Sequence, residues 1–319
     1  MFVNDCWRKS HGECAFKSLG RLSFQPLSEN PLLGPSCSTL DEMGALRQNF
    51  LTNKHQTWRL FTCLWLHAGA IHLTVNLCSV VFIGIHLEQE FGSLRIGIIY
   101  ILSAFCGSLV ATLFLQNRPA VSSSSALFGL LGAMLSGLIR NWKFYINKFA
   151  ALVALICITM INLVLGLLPY VDNFSNIGGF ISGFLIGFVL LFSPQLRQAS
   201  QKKSSLFDYR VKRSIKLKLK LDRPALRSVC LVLFAIILAG CLVAVLHGVN
   251  VNQYCSWCQY IDCVPSKWWS CNDKALPCKT MVTGGRLMLT CTGNDNFRVF
   301  PFTNISQTRI EDLCSLICS

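Results

Sequence analysis

Six apolar runs dominate this chain of 319 residues, and each is close to the about 20 residues that an α-helix needs to cross a bilayer. They lie at 64–87, 94–115, 121–139, 149–168, 174–193 and 228–247. Only 14% of the residues are charged and the mean hydropathy is +0.48, whereas a soluble domain carries about 25% charged residues. The runs therefore predict an all-α polytopic membrane protein.

The net charge of +14 is concentrated in one loop. Between Pro194 and Ser228 lie eleven Lys or Arg residues and two Asp residues, a net charge of +9. No aromatic interleaving or nucleic-acid fold signature accompanies this charge, so we expect no nucleic-acid partner. By the positive-inside rule the loop is cytosolic, as are Arg140, Lys143 and Lys148. With six spans, both termini are then expected on the exoplasmic side.

Cysteines support the same topology for the tail. Eight of them are disulfide candidates: Cys255, Cys258, Cys263, Cys271, Cys278, Cys291, Cys314 and Cys318. An even number in a short segment is typical of an oxidised module. A zinc site beginning at "CSWC" is the alternative, but no matching second CxxC follows, so no metal site is expected. The sequon at Asn304 is a candidate glycosylation site that also suits a lumenal tail.

The predicted organisation has five parts. They are a lumenal segment (1–60), a five-helix transmembrane core (61–193), a basic cytosolic linker (194–227), an additional transmembrane helix (228–247) and a lumenal Cys-rich tail (250–319). Cys6, Cys14 and Cys37 form an odd set in the first segment, so one stays free or pairs elsewhere. The start of the chain has no apolar stretch typical of a cleavable signal peptide. Either the first span acts as a reverse anchor, or a preceding helix is missing.

Polar residues in two of the apolar runs are candidates for function, because they are costly in a bilayer. His72 and Asn76 lie four residues apart, on one face of a helix that also carries His67, and could stabilise an oxyanion. The alternative is hydrogen bonding to neighbouring helices. The serine run at 122–125 opens the third span, where the helix dipole favours a nucleophile. An N-cap followed by small packing residues explains the run equally well.

Together these segments resemble the rhomboid family of intramembrane serine proteases, and more narrowly its plant RHOMBOID-like group. The resemblance rests on Trp58–Arg59, "HAGAIHLTVN", "SSSSALFGLLGA" and "DNFSNIGGFISGFLIG", and it extends over nearly the whole chain. It implies a rhomboid-like helical bundle that lacks its first helix and has one extra C-terminal helix. Gly179, Gly183 and Gly187 form a strip on the fifth span that a neighbouring helix can approach closely.

The resemblance also implies roles for individual residues. Ser124 matches the nucleophile, His72 and Asn76 match the oxyanion-stabilising pair, and His67 matches the first histidine of that motif. Asn176 stands where the family has its base histidine, and an amide is not a base. Serines at 122 and 125 replace both glycines of the family's G-x-S-G and fill space that the glycines leave open. No cofactor is implied.

We therefore expect a catalytically impaired pseudoprotease that binds transmembrane segments of client proteins, with membrane lipid as its other partner. The alternative is an active serine endopeptidase that uses Ser124 with an unusual base, His72 first. A channel or transporter is disfavoured, because no inverted repeat is visible. The product of a decaying gene is a further alternative. The expected location is a secretory membrane, either Golgi or plasma membrane, rather than a mitochondrial or plastid one.

Overall fold

The computed structural model describes residues 6, 14–16, 18–19, 23–52, 55–115, 118–142, 146–191, 224–255, 257–266, 268–269, 271, 278–283, 285–291, 296–301, 310, 313–314 and 317. The chain divides into two compact units, Met1–Cys271 and Asn272–Ser319. The predicted tail module is thus divided after Cys271. Asn304, Cys318, Lys143 and the linker up to residue 223 lie outside the described residues.

The first unit is helical. Three short helices come first: α1 (Cys37–Met43), α2 (Gln48–Thr52) and α3 (Arg59–Thr62). Five helices are long and apolar enough to cross a membrane, namely α4 (Ala70–Phe91), α5 (Ser93–Leu113), α7 (Lys148–Leu165), α8 (Asn173–Leu190) and α9 (Pro224–Leu246). The apolar helix α6 (Ser124–Arg140) is shorter, with 17 residues. A multi-pass membrane protein with five candidate spans follows from these helices.

Each of the six predicted spans overlaps one of these helices, but the first helix begins later than predicted. Residues 63–69 are not helical, and α4 begins at Ala70 instead of 64. The backbone amides of Ala70 and Ile71 donate to the carbonyls of Leu33 and Leu32, which belong to the segment before the core. A Cβ on Gly69 would overlap the Leu32 carbonyl. This close crossing of two chain segments holds the backbone before α4 in a non-helical path.

Helices α6 and α8 form the centre of the bundle, and the glycine strip lies between them. A Cβ on Gly183 would overlap the backbone of Gly129, and one on Gly179 would overlap the carbonyl of Ser125. At Gly187 an added Cβ would meet Ala133 at 2.8 Å. The two backbones therefore approach more closely than any side chain permits. This approach places the start of α6 directly beside the first turn of α8.

The outer helices bury much less of their surface. In α4 and α7 the buried share of the apolar window is 22% and 17%, and in α9 it is 11%. Large hydrophobic side chains such as Phe82 and Ile156 are half exposed in the structure, as is expected of surfaces that contact lipid. Helix α9 packs against α8 and α5 and contributes Phe234 to the core. After it come a 3₁₀ turn (Val251–Tyr254) and the short helix α10 (Gln259–Asp262).

The second unit contains a three-stranded antiparallel sheet in the order β1 (Cys278–Thr283), β2 (Arg286–Cys291), β3 (Phe297–Pro301). The all-α prediction is wrong for this part of the tail. Leu287, Leu289 and Cys291 alternate with more exposed residues along β2, the period-2 pattern of a half-buried strand.

The described disulfides are Cys6–Cys14, Cys255–Cys258, Cys263–Cys271 and Cys278–Cys314. Cys291 is also disulfide-bonded, and Cys37 is a free thiol.

Candidate active site

Ser124 is the first residue of α6, and the chain just before it is fixed by backbone hydrogen bonds. The amide of Ser122 donates to the carbonyl of Cys63 at 3.1 Å, and the amide of Val121 donates to the carbonyl of Tyr170 at 2.9 Å. The capping residue, Ser123, makes no side-chain hydrogen bond to the helix. The N-cap interpretation of the serine run therefore fails for this side chain, because its backbone is already helical in conformation. Ser124 itself is 2% exposed.

Asn176 lies in the first turn of α8 and is fully buried. The hydroxyl of Ser124 donates to its side-chain oxygen Oδ1 over 2.7 Å, a normal length for a hydrogen bond between two oxygens. The Nδ2 group of Asn176 donates in turn to Oδ1 of Asn173 at 3.0 Å. Asn173 Nδ2 donates to the carbonyls of Leu163 and Ile261. The serine is thus the first member of a chain of amide hydrogen bonds.

This geometry determines what Ser124 can do. Its proton points at an amide oxygen, which accepts a hydrogen bond but does not take the proton. A serine hydroxyl is a weak nucleophile unless a base removes that proton. The pair therefore orients the hydroxyl without activating it.

The serines at 122 and 125 are buried beside this pair. The hydroxyl of Ser125 donates to the carbonyl of Ser122 at 2.6 Å. The Cβ of Ser125 packs against Gly107 of α5. A Cβ added to Gly107 would lie only 2.6 Å from the Cβ of Ser125. The extra side chain is therefore accommodated by a glycine on the neighbouring helix.

His72 and Asn76 are buried on one face of α4, whereas His67 lies in the turn before that helix, not on it as predicted. Asn76 Nδ2 donates to His67 Nε2 at 3.1 Å. The amide of Ala68 donates to His72 Nδ1 at 3.3 Å, so the neutral ring carries its proton on Nε2. That Nε2 and Asn76 Oδ1 have no hydrogen-bond partner within the described chain. A buried, unpaired donor is what stabilisation of an oxyanion requires.

The structure brings the candidate residues together in two groups. Ser124 and Asn176 form one group, and His67, His72 and Asn76 form the other. Across the described part of the chain, no hydrogen bond joins the two groups. Burial lowers the pKa of His67, so this ring is neutral at physiological pH.

A family model described as the Rhomboid domain matches residues 54–193, which contain both groups. Inactive RHOMBOID-like protein 8 of Arabidopsis thaliana is 55% identical over 280 residues, 88% of this chain and 80% of that protein. The chain belongs to the rhomboid family. RHOMBOID-like protein 1 of the same plant is 47% identical over all of this chain and 81% of its own length. Inactive rhomboid protein 1 of Danio rerio is 34% identical over 66% of this chain and 22% of that protein.

Arg59 in this rhomboid holds the segment before the core. Its Nη1 donates to the carbonyls of Asp41 and Ala45, each at 2.8 Å. The guanidinium also lies over the rings of Phe50, at 4.1 Å, and Trp58, at 4.8 Å. The motif Trp58–Arg59 is thus a structural element that fixes the loop around α1 and α2.

Sequence reasoning missed the residues behind the rhomboid site. Asp172 caps α8 through the amide of Ser175, and Asp262 reaches the same helix end from the tail. The sequence signal for Asp172 was "VDNFSN", where an Asp at the start of an apolar helical run is typical of an N-cap. Within the described residues no group of three or more potential metal ligands occurs.

Proposed function

We propose that this rhomboid is a catalytically impaired pseudoprotease that binds transmembrane segments of other membrane proteins. The observation that carries the proposal is the hydrogen bond from Ser124 to Asn176, in which an amide occupies the place of a base. Removal of the serine or the histidine of a Ser–His unit lowers kcat by about six orders of magnitude in a serine protease. His72 does not compensate, because its Nδ1 already accepts from Ala68 and the Ser124 proton is directed to Asn176.

The rest of the bundle supports binding without hydrolysis. The close α6–α8 contact is intact, and the buried donor on His72 remains unpaired. Such a donor can donate a hydrogen bond to a main-chain carbonyl of a bound segment. The partners in this proposal are client transmembrane segments and membrane lipid, and no cofactor or metal is part of it. Ser124, Asn176, His72 and Asn76 line the proposed client site.

The proposed topology places the linker before α9 in the cytosol and the Cys-rich tail in the lumen. Helix α9 lies outside the matched domain and is an addition to the rhomboid core. The disulfides in the tail favour a secretory membrane, Golgi or plasma membrane.

Binding is testable with the full chain in liposomes and a fluorescently labelled single-span peptide of about 20 apolar residues. Fluorescence energy transfer from a dye on the protein to the peptide should reach a plateau as the peptide concentration rises. Unlabelled peptide should reverse it. An unrelated multi-span protein at the same protein-to-lipid ratio is the control. The proposal is wrong if the transfer rises linearly and equals that of the control, because the peptide then only shares the bilayer.

A further inference from the structure

Helix α8, which carries Asn176, is capped at its N-terminus from the tail of the chain. Oδ1 of Asp262 accepts the backbone amides of Asn173, at 2.9 Å, and Phe174, at 3.4 Å. The neighbouring carbonyl of Ile261 accepts from Asn173 Nδ2 at 2.8 Å. Asp172 accepts the amide of Ser175 at 2.8 Å and also interacts with the amide of Phe174. Two of the amides that a helix N-terminus leaves unsatisfied are therefore bonded by a residue about 90 positions away.

The C-terminus of the same helix is also capped by other segments. Arg227 Nε donates to the carbonyl of Val189 at 3.2 Å, and Arg140 Nη1 donates to the carbonyl of Phe188 at 2.9 Å. A carboxylate at the N-terminus and guanidinium groups at the C-terminus both match the helix dipole. The two ends of α8 are thus compensated by charges of the correct sign.

One stretch of chain supplies a cap at each end. Arg227 lies in the first turn of α9, and Asp262 is the last residue of α10. Between them α9 packs along α8, where Phe234 joins the same core cluster as Ile186. The stretch 224–262 therefore contacts α8 at both ends and along its length.

The N-terminal cap is itself held in place. Asn250 Nδ2 donates to the carbonyl of Leu115 at 3.0 Å, and the amide of Val264 donates to the carbonyl of Leu167 at 3.1 Å. Disulfides Cys255–Cys258 and Cys263–Cys271 lie on either side of Asp262. These bonds leave α10 little freedom to move away from the end of the bundle.

We infer that residues 224–262 form a clamp on α8, in which Asp262 and Arg227 are positioning residues. The clamp fixes the first turn of α8 and, through Asn173, sets the place of Asn176 opposite Ser124. The inference concerns the position of α8 and holds whether or not the protein binds clients.

Hydrogen–deuterium exchange of the full chain in nanodiscs tests the clamp. Asp262→Ala should raise exchange in the peptide covering 171–178 by about tenfold or more, because the hydrogen bonds of two first-turn amides to Asp262 are lost. Arg227→Ala should raise exchange at 186–191 and leave 171–178 unchanged. Tyr260→Ala, an exposed residue of the same short helix, is the matched control and should change neither peptide.

A conservative variant separates positioning from general folding. Asp262→Asn keeps the acceptor oxygen and should give a smaller rise at 171–178 than Asp262→Ala, and it supplies the test if the alanine variant does not accumulate. The clamp is refuted if Asp262→Ala leaves 171–178 unchanged. It is equally refuted if every spanning helix exchanges faster by the same factor, because the effect is then global.

Discussion

The hydroxyl of Ser124 and the side-chain oxygen of Asn176 lie 2.7 Å apart, across the close contact between α6 and α8. The bond joins the first turns of α6 and α8. In this bond the serine hydroxyl donates to an amide oxygen, which cannot remove its proton. The same two residues thus join the helices and prevent activation of the nucleophile.

This bond should stabilise the fold measurably. Ser124→Ala leaves Asn176 Oδ1 buried without its donor, and we expect a loss of about 1–3 kcal/mol in the free energy of unfolding. Ser108→Ala is the control, because that buried hydroxyl donates to the carbonyl of Phe105 in its own helix. Denaturant unfolding in detergent measures both variants. Equal stability of the two would show that the bond contributes nothing.

The α6–α8 contact gives a second prediction. Gly183→Ala places a Cβ on the backbone of Gly129, and overpacking of this kind typically costs about 1–3 kcal/mol. Gly97→Ala is the matched control, since a Cβ at that glycine of α5 meets nothing within 4 Å. The melting temperature of Gly183→Ala should fall well below that of the control. A melting temperature like that of the control would mean that the helices can separate freely.

The carboxylates at the N-terminus of α8 predict that the stability of the fold depends on pH. Burial raises the pKa of Asp172 to about 6, although Ser175 and Arg118 lower it, and burial beside Asp172 raises the pKa of Asp262. An unfolded Asp titrates near pH 4, so between about pH 4 and 6 the folded chain binds more protons than the unfolded chain. This pair therefore makes the fold more stable as the pH falls through 6, and the contribution is lost as the pH rises.

The size of that contribution is about 1 kcal/mol per pH unit for one extra proton. Melting temperatures at pH 7.5 and 5.5 measure it, and Asp262→Asn, which has one titrating carboxyl fewer, should respond less to acid than the native chain. Identical responses of the two chains would remove the pair as the cause.

Hydropathy predicts the spanning helices well, because each must be apolar over its length whatever its neighbours are. The family resemblance also identifies Ser124 and Asn176, which the structure joins by a hydrogen bond. The start of α4 is different. It depends on the crossing of Gly69 by Leu32 and Leu33, a contact between segments far apart in sequence.

The cap from the tail could not be predicted for the same reason, because it too is a contact between segments far apart in sequence. Asp262 caps a helix that begins 89 residues earlier, and no local pattern around Asp262 indicates this partner. The β-sheet that begins at Cys278 is different, because its second strand has a local signal. Leu287 and Leu289 alternate with polar or exposed residues, a period-2 pattern that predicts a strand.

The central claim is that an intact bundle lacks a base, and cleavage of a generic transmembrane substrate in liposomes tests it most directly. The native chain should cleave nothing. Asn176→His combined with Ser122→Gly and Ser125→Gly should gain cleavage, and addition of Ser124→Ala should abolish that gain. Cleavage by the native chain that is lost in Ser124→Ala would contradict the account, because Ser124 would then be activated without a histidine at 176.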